Sequence, residues 1–205
     1  GGVVCYRGEV IFKSLLKPAD YQSMVTFVEN RTDGIPILCG MDNAFLSVKH
    51  QKYEHYLKNF YLKTVFVEDL EHIAVDADKF TVYFPREDSR EYYENLFKPQ
   101  YGGTFSVTVG DTIWIDIMNQ GIDKGKAMRL LAEKLGLGPE QMMAFGDTYN
   151  DREMLQSVKY SYLVENADDD MKQFANYTTC SNDNFGVIKI IDKILNGEFL
   201  NVLAV

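Results

Sequence analysis

The sequence predicts an α/β protein in two parts: a partial parallel-sheet core and an inserted α+β domain. Three observations carry that reading. Met142 to Phe145 is an unbroken apolar run that ends at Gly146-Asp147 and leads into a helical segment, the pattern of a strand covered on both faces. Residues 17–117 read as a helix, two strands, two helix–strand units, a helix and two more strands, an order that suits an antiparallel sheet with helices on one face. With 205 residues, 46% of them hydrophobic, the chain can bury a core of one or two domains.

Taken in order, "GGVVCYRGEVIFKS" is a hairpin: Val3 to Tyr6, a turn at Arg7-Gly8, then Glu9 to Lys13. Pro18 starts a helix over Ala19 to Asn30 with Tyr21, Val25 and Val28 roughly on one face. Strands follow at Ile35–Cys39 and Ala44–Val48, then a helix over His50–Phe60 and a strand at Thr64–Val67. A helical turn is expected near Leu70–Ile73, a strand at Lys79–Phe84 and a helix over Ser89–Phe97. Strands Thr104–Val109 and Thr112–Ile117 are joined at Gly110-Asp111, a hairpin pair. An antiparallel sheet of this kind would leave its second face free to close over a substrate. The many aromatic residues between 53 and 114 fit core positions better than a ligand cage. A helix over Lys126–Leu135, with Ala127, Leu130, Leu131 and Leu135 on one stripe, precedes the Met142–Phe145 strand, and Tyr160–Val164 is a second buried strand.

Chemistry gathers at two places in this second part. Asp147 falls at the carboxyl end of a strand, where open α/β sheets hold their ligands. Asp151 lies four residues on and so returns to roughly the same side near a helix start. Two converging carboxylates repel unless something positive lies between them; oxygen-only donors favour magnesium over zinc. The competing reading makes Asp147 or Thr148 a helix cap and Asp151 a solvated first-turn acid. Lys124, in "GIDKGKA", opposes the helix dipole at the start of its helix, which an anion such as phosphate would relieve. Taken alone it is an ordinary surface lysine. "ADDDMKQFA" is explained by capping and the macrodipole, His50 and His55 do not share a helix face, and the three scattered cysteines fit reduced thiols in cytoplasm.

From the lysine loop onward, "DKGKA", "GDTYND" followed by "ML", "ENADDDMKQFA" and "DNFGV" before a last helix stand in one order across residues 120–195. In that order they resemble the C-terminal part of haloacid-dehalogenase-like (HAD) phosphatases of the Cof type. The resemblance implies a Rossmann-like HAD core, represented by residues 1–16 and 118–205, with an inserted C2-type α+β cap over residues 17–117. It implies that Lys124 contacts the phosphoryl group, that Asp147 binds Mg2+ with Asp151 as a ligand or orienting partner, and that Asn150 positions the phosphate or the metal ligands. The reaction implied is Mg-dependent hydrolysis of a small organic phosphate (sugar phosphate, nucleotide-like or pyridoxal phosphate) through an aspartyl-phosphate.

The resembled family takes its nucleophile from an Asp-x-Asp loop after the first core strand, and residues 1–16 hold no such loop. Only two parallel core strands are legible, against about five or six in an average sheet. The expectation is therefore the cap plus the C-terminal core of a longer protein, with the nucleophile outside this chain and no turnover by the chain alone. A non-catalytic phosphometabolite-binding protein and a sugar-phosphate mutase are the alternatives. The net charge of −9 and the lack of a basic cluster argue against a nucleic-acid surface. No apolar run approaches the roughly 20 residues of a membrane span, and no signal peptide opens the chain. Oligomeric state is not legible, and the tail "FLNVLAV" has no evident role.

Overall fold

A computed structural model describes residues 2–198; the apolar tail from Phe199 lies outside them. The chain divides into two compact units, Gly1–Ile122 and Asp123–Val205.

The first unit opens with the expected hairpin, β1 (Val3–Tyr6) against β2 (Glu9–Lys13), with one bulge between Val4 and Cys5. Arg7 and Gly8 both take positive φ, 50° and 83°, the backbone of a type I′ turn whose twist matches that of the strands it joins. The hairpin is tied to the loop at 76–78: Leu16 N–H donates to Ala77 O at 2.8 Å, and Lys13 pairs with Asp76. It therefore groups with the first compact unit.

Helix α1 (Pro18–Arg31) follows, then β3 (Ile35–Cys39) and β4 (Ala44–Ser47). The expected His50–Phe60 helix is a 3₁₀ turn over Val48–Tyr53 and a single α turn, α2 (Glu54–Leu57). Next come β5 (Thr64–Val67) and β6 (Lys79–Tyr83); Leu70–Ile73 forms bends, not a helical turn. The helix expected to stop at Phe97 continues to Tyr101 as α3 (Ser89–Tyr92), a π turn (Tyr93–Phe97) and α4 (Lys98–Tyr101). Pro99 signals a stop because it cannot donate to the preceding turn. The wider turn just before it, in which Lys98 N–H reaches Tyr93 O, carries the helix past the proline.

Strands β7 (Phe105–Gly110) and β8 (Trp114–Asn119) pair from Phe105↔Asn119 to Gly110↔Trp114. The connection is therefore three residues, Asp111–Ile113, and not the two-residue turn expected. Asp111 (φ 59°) takes the left-handed position in this loop.

The sheet has six strands in the order β5-β4-β3-β6-β8-β7, antiparallel throughout except for β4–β5. Tyr21, Met24, Val25 and Val28 of α1 and Phe97 and Tyr101 pack on one face over Leu38, Phe80, Val82, Ile115 and Ile117. The opposite face is not left free as expected. Leu57, Tyr53 and Tyr61 cover it over Ile35, Ile37, Ala44 and Leu46, because the short 48–57 segment folds back onto β3 and β4. Twelve of the aromatic residues from 53 to 114 pack in these two cores, as core positions require; Tyr56 and Phe60 are exposed.

The same face carries a polar chain. Lys79 Nζ lies 3.0 Å from Asp116 Oδ2, and Thr81 Oγ1 donates to Asp116 Oδ1 at 2.6 Å. Cys39 Sγ lies 3.6 Å from Thr81 Oγ1 and 3.8 Å from Tyr61 OH.

The second unit begins with α5 (Lys124–Leu135) and a 3₁₀ turn at Pro139–Gln141, followed by β9 (Met143–Gly146). After a 3₁₀ turn (Tyr149–Asp151) come α6 (Arg152–Gln156), β10 (Tyr160–Val164), a 3₁₀ segment (Asp169–Phe174), β11 (Tyr177–Thr179) and α7 (Gly186–Leu195). The strands form a wholly parallel sheet in the order β11-β10-β9. β10 is buried along its length, but β9 alternates buried and half-buried residues because it is an edge among the described residues. The full coverage expected of Met142–Phe145 is thus not seen. The expected stripe on α5 also shifts: Gly125, Met128 and Ala132 face the core, while Leu135 is exposed. On one sheet face Phe145, Tyr162 and Tyr177 stand in register across the three strands and stack with centroids 5.3 and 5.1 Å apart. No described helix is long and apolar enough to cross a membrane.

Burial pushes the Cys39 thiol up, while the Lys79 charge and the Thr81 hydroxyl pull it down less strongly. A thiol whose pKa is raised holds little nucleophilic thiolate at neutral pH. In the native protein iodoacetamide should therefore alkylate the exposed Cys5 and Cys180 and spare Cys39. Peptide mass mapping would refute this if Cys39 reacted at the same rate as the other two.

Candidate active site

The site is built on the carboxyl end of β9 and the start of α5. Asp123 caps α5, its carboxylate accepting the Lys126 N–H at 2.7 Å, and this sets Lys124 in the first helical turn. The lysine Nζ donates to Asp151 Oδ1 at 2.5 Å and to Asn150 Oδ1 at 3.3 Å. Asp151 is 4% exposed, and its second oxygen accepts the Asp147 N–H at 3.1 Å. The Thr148 hydroxyl lies 3.2 Å from Asp147 Oδ1 and 3.0 Å from Asn150 Oδ1. Lys124, Asp147, Asn150 and Asp151, each singled out from sequence, are thus brought together.

Two glycines make this closeness possible. Gly146 matters less for a sharp turn than for approach: a Cβ there would lie 2.7 Å from Asp151 Cβ. Gly125 lets α5 settle against α6, since its Cβ would lie 2.4 Å from Glu153 O. Neither glycine is marked for this by the sequence pattern, because close approach depends on the neighbouring element. The helix that follows Asp147 opens as a 3₁₀ turn with Thr148 at its cap position, but the threonine side chain makes no cap bond. Its hydroxyl is turned to Asp147 and Asn150 instead, a role that sequence reasoning did not assign.

Electrostatically, Asp147 is the unusual group. Burial, then the hydrogen bond and the negative charge of Asp151, push its carboxyl above the ordinary range; the Thr148 hydroxyl and the Lys124 charge oppose them. The donor set fits a hard dication: it is oxygen-only, and one of two adjacent carboxylates resists ionisation beside the other. Among the described residues no group of three or more His, Cys, Asp and Glu side chains gathers. One or two carboxylates, with waters and phosphate oxygens completing the shell, is the usual arrangement for magnesium.

The acids at 168–170 do not act as caps, contrary to expectation. Asp168 makes no cap bond; Asp169 pairs with Lys172 at 2.7 Å, and Asp170 accepts from Tyr149 OH at 2.5 Å. The 3₁₀ geometry of Asp169–Phe174 turns these side chains outward.

A parallel α/β unit with a lysine and two aspartates gathered at a strand end is the setting in which comparison with known proteins becomes informative. Residues 1–191 match the model for haloacid dehalogenase-like hydrolases, and the chain belongs to that family. It is 27% identical over 202 residues to an Escherichia coli 5-amino-6-(5-phospho-D-ribitylamino)uracil phosphatase, covering 97% of this chain and 73% of the relative. A Bacillus subtilis phosphatase of the same name is 34% identical over 85 residues, 42% of this chain and 30% of that protein. The chain thus spans about three quarters of the first relative and under a third of the second. Among solved structures, a Streptococcus mutans protein superposes with a TM-score of 0.84 at 27% identity, covering 96% of this chain and 74% of that one. A HAD subclass IIB sugar phosphatase superposes with a TM-score of 0.74 at 21% identity, over 95% of this chain and 73% of that one, a likeness of fold.

Because Asp147 binds its proton more tightly folded than unfolded, its own contribution to stability falls as pH rises from the ordinary carboxylate value through its raised one. Carbon-detected NMR should find Asp147 titrating above the ordinary carboxylate value, and Asp151→Asn should move it down; an unmoved midpoint would contradict the pairing. Separately, Gly125→Ala should destabilise the fold by about 1–3 kcal/mol in urea unfolding, since backbone and not a flexible chain end blocks the new methyl.

Proposed function

We propose that this chain carries the lysine–aspartate half of a Mg2+-dependent phosphatase site that hydrolyses small organic phosphates through an aspartyl-phosphate. The nucleophilic aspartate in this reading lies outside these 205 residues. The observation that carries the reading is the Lys124 ammonium, held by Asp151 and Asn150 at the strand end beside Asp147. The phosphatase names of the relatives support the substrate class. Residues 1–16 and 118–205 are assigned to the core and 17–117 to the cap, a division that counts the hairpin with the core although it groups with the first compact unit.

Each residue then has a defined task. Lys124 offers a fixed positive charge to the equatorial phosphoryl oxygens, on which charge is spread in the transition state. Asp151 and Asn150 hold the ammonium in place, so its long side chain is ordered before substrate arrives. Mg2+ would be held by Asp147, with Asp151 as a second ligand or as the residue that orients the first; when bound it screens the nucleophile from the phosphate. Thr148 orients the Asp147 carboxylate. With a net charge of −9, attraction of phosphate has to be local to this site.

The test uses the longer polypeptide that includes the nucleophile, assayed for phosphate release from a panel of sugar, nucleotide and pyridoxal phosphates with and without Mg2+. Asp147→Asn should abolish metal-dependent turnover, and Lys124→Ala should lower kcat by about 10²–10³. Undiminished turnover in either variant would sink the corresponding role.

A further inference from the structure

The six-stranded sheet of the first unit ends on β7, and the outer edge of that strand is unlike its counterparts. Edge strands expose a row of unpaired N–H and C=O groups, which proteins guard with charges, prolines, bulges or shortness. β7 has none of these guards. Its sequence, Phe105-Ser-Val-Thr-Val-Gly110, carries no charge and no proline, and its register with β8 runs unbroken over all six residues. Every residue in it is half-buried. The remaining edges are shorter or guarded: β5 and β9 have four residues and β11 three, while the β1–β2 hairpin carries a bulge and the charged residues Glu9 and Lys13. No described strand pairs with the outer side of β7.

We propose that this edge is a self-association surface, on which β7 of a second copy of the chain adds antiparallel to join two six-stranded sheets. The occupant is argued from the strand's own pattern. Phe105, Val107 and Val109 share the face of Ile115 and Ile117, whereas Ser106, Thr108 and Gly110 share the face of Trp114, Asp116 and Met118. A two-fold axis normal to the sheet keeps like faces together, so odd residues must oppose odd and even oppose even. With Val107 opposite Val107 of the second copy, Phe105 meets Val109 and Ser106 meets Thr108. These pairs are aromatic with β-branched, β-branched with β-branched, and hydroxyl with hydroxyl, the pairings that stabilise antiparallel ladders, while Gly110 falls opposite Thr104 at the strand end. No charge opposes a charge. A two-fold contact of this kind is closed, so it yields a dimer and not a fibre.

Sedimentation velocity on the 205-residue chain across a wide concentration range tests this. The weight-average mass should climb from the 23.5 kDa of one chain toward twice that value as concentration rises. Thr108→Lys, with circular dichroism confirming its fold, puts two lysines at diagonal positions about 7–8 Å apart across the new ladder. It should raise the concentration needed for association by roughly tenfold or more. Thr108→Val keeps a β-branched residue and should associate at least as readily as the parent chain. A chain that stays monomeric throughout would overturn the proposal, as would a dimer that Thr108→Lys leaves unchanged.

Discussion

The second unit depends on one buried carboxylate. Asp151 uses one oxygen to hold the Lys124 ammonium from α5 and the other to accept the Asp147 N–H at the end of β9. A charge this deeply buried is stabilising only when its partners are in place. The strand end, the 3₁₀ turn and the start of α5 are therefore fixed by a single group. Asp123 caps the helix that presents the lysine, and Gly146 and Gly125 clear the space that lets the pieces close.

In the first unit the equivalent constraint is two-sided coverage of a sheet. Apolar side chains alternate between a core under α1 and the 89–101 helix and a second core under the 48–57 segment. Where the second covering stops, the polar chain of Lys79, Asp116 and Thr81 takes over. Asp116 accepts from both neighbours, so neither charge of the pair is left without a partner.

Most of the fold was legible because it rests on local signals. The Arg7-Gly8 turn, the Pro18 helix start and the apolar strands at 35–39, 64–67 and 160–164 all fall where their residues place them. The grouping of Lys124, Asp147, Asn150 and Asp151 was legible from spacing and from the order of the motifs. What the sequence hid were matters of tertiary contact. The shift of the α5 stripe to Gly125, Met128 and Ala132 follows from how tightly α6 approaches, which no periodicity records. The helix expected over His50–Phe60 is held instead as a 3₁₀ turn over Val48–Tyr53 and a single α turn over Glu54–Leu57, because packing Leu57 and Tyr53 on the sheet outweighs regular hydrogen bonding. β11, three residues long, was missed because so short a run carries almost no pattern.

The π turn at Tyr93–Phe97 has a consequence for the phase of the helix it interrupts. A π turn takes up one residue more than an α turn over the same rise, so the side chains after it are rotated backward relative to those before it. That rotation brings Phe97 and Tyr101, one helical turn apart, onto the buried side while Lys98, Pro99 and Gln100 face solvent. The segment is thus a helix with an inserted residue. Its length is spent on adjusting angle, and the gearing between Tyr92 and Tyr101 would slip by one tooth if that residue were removed.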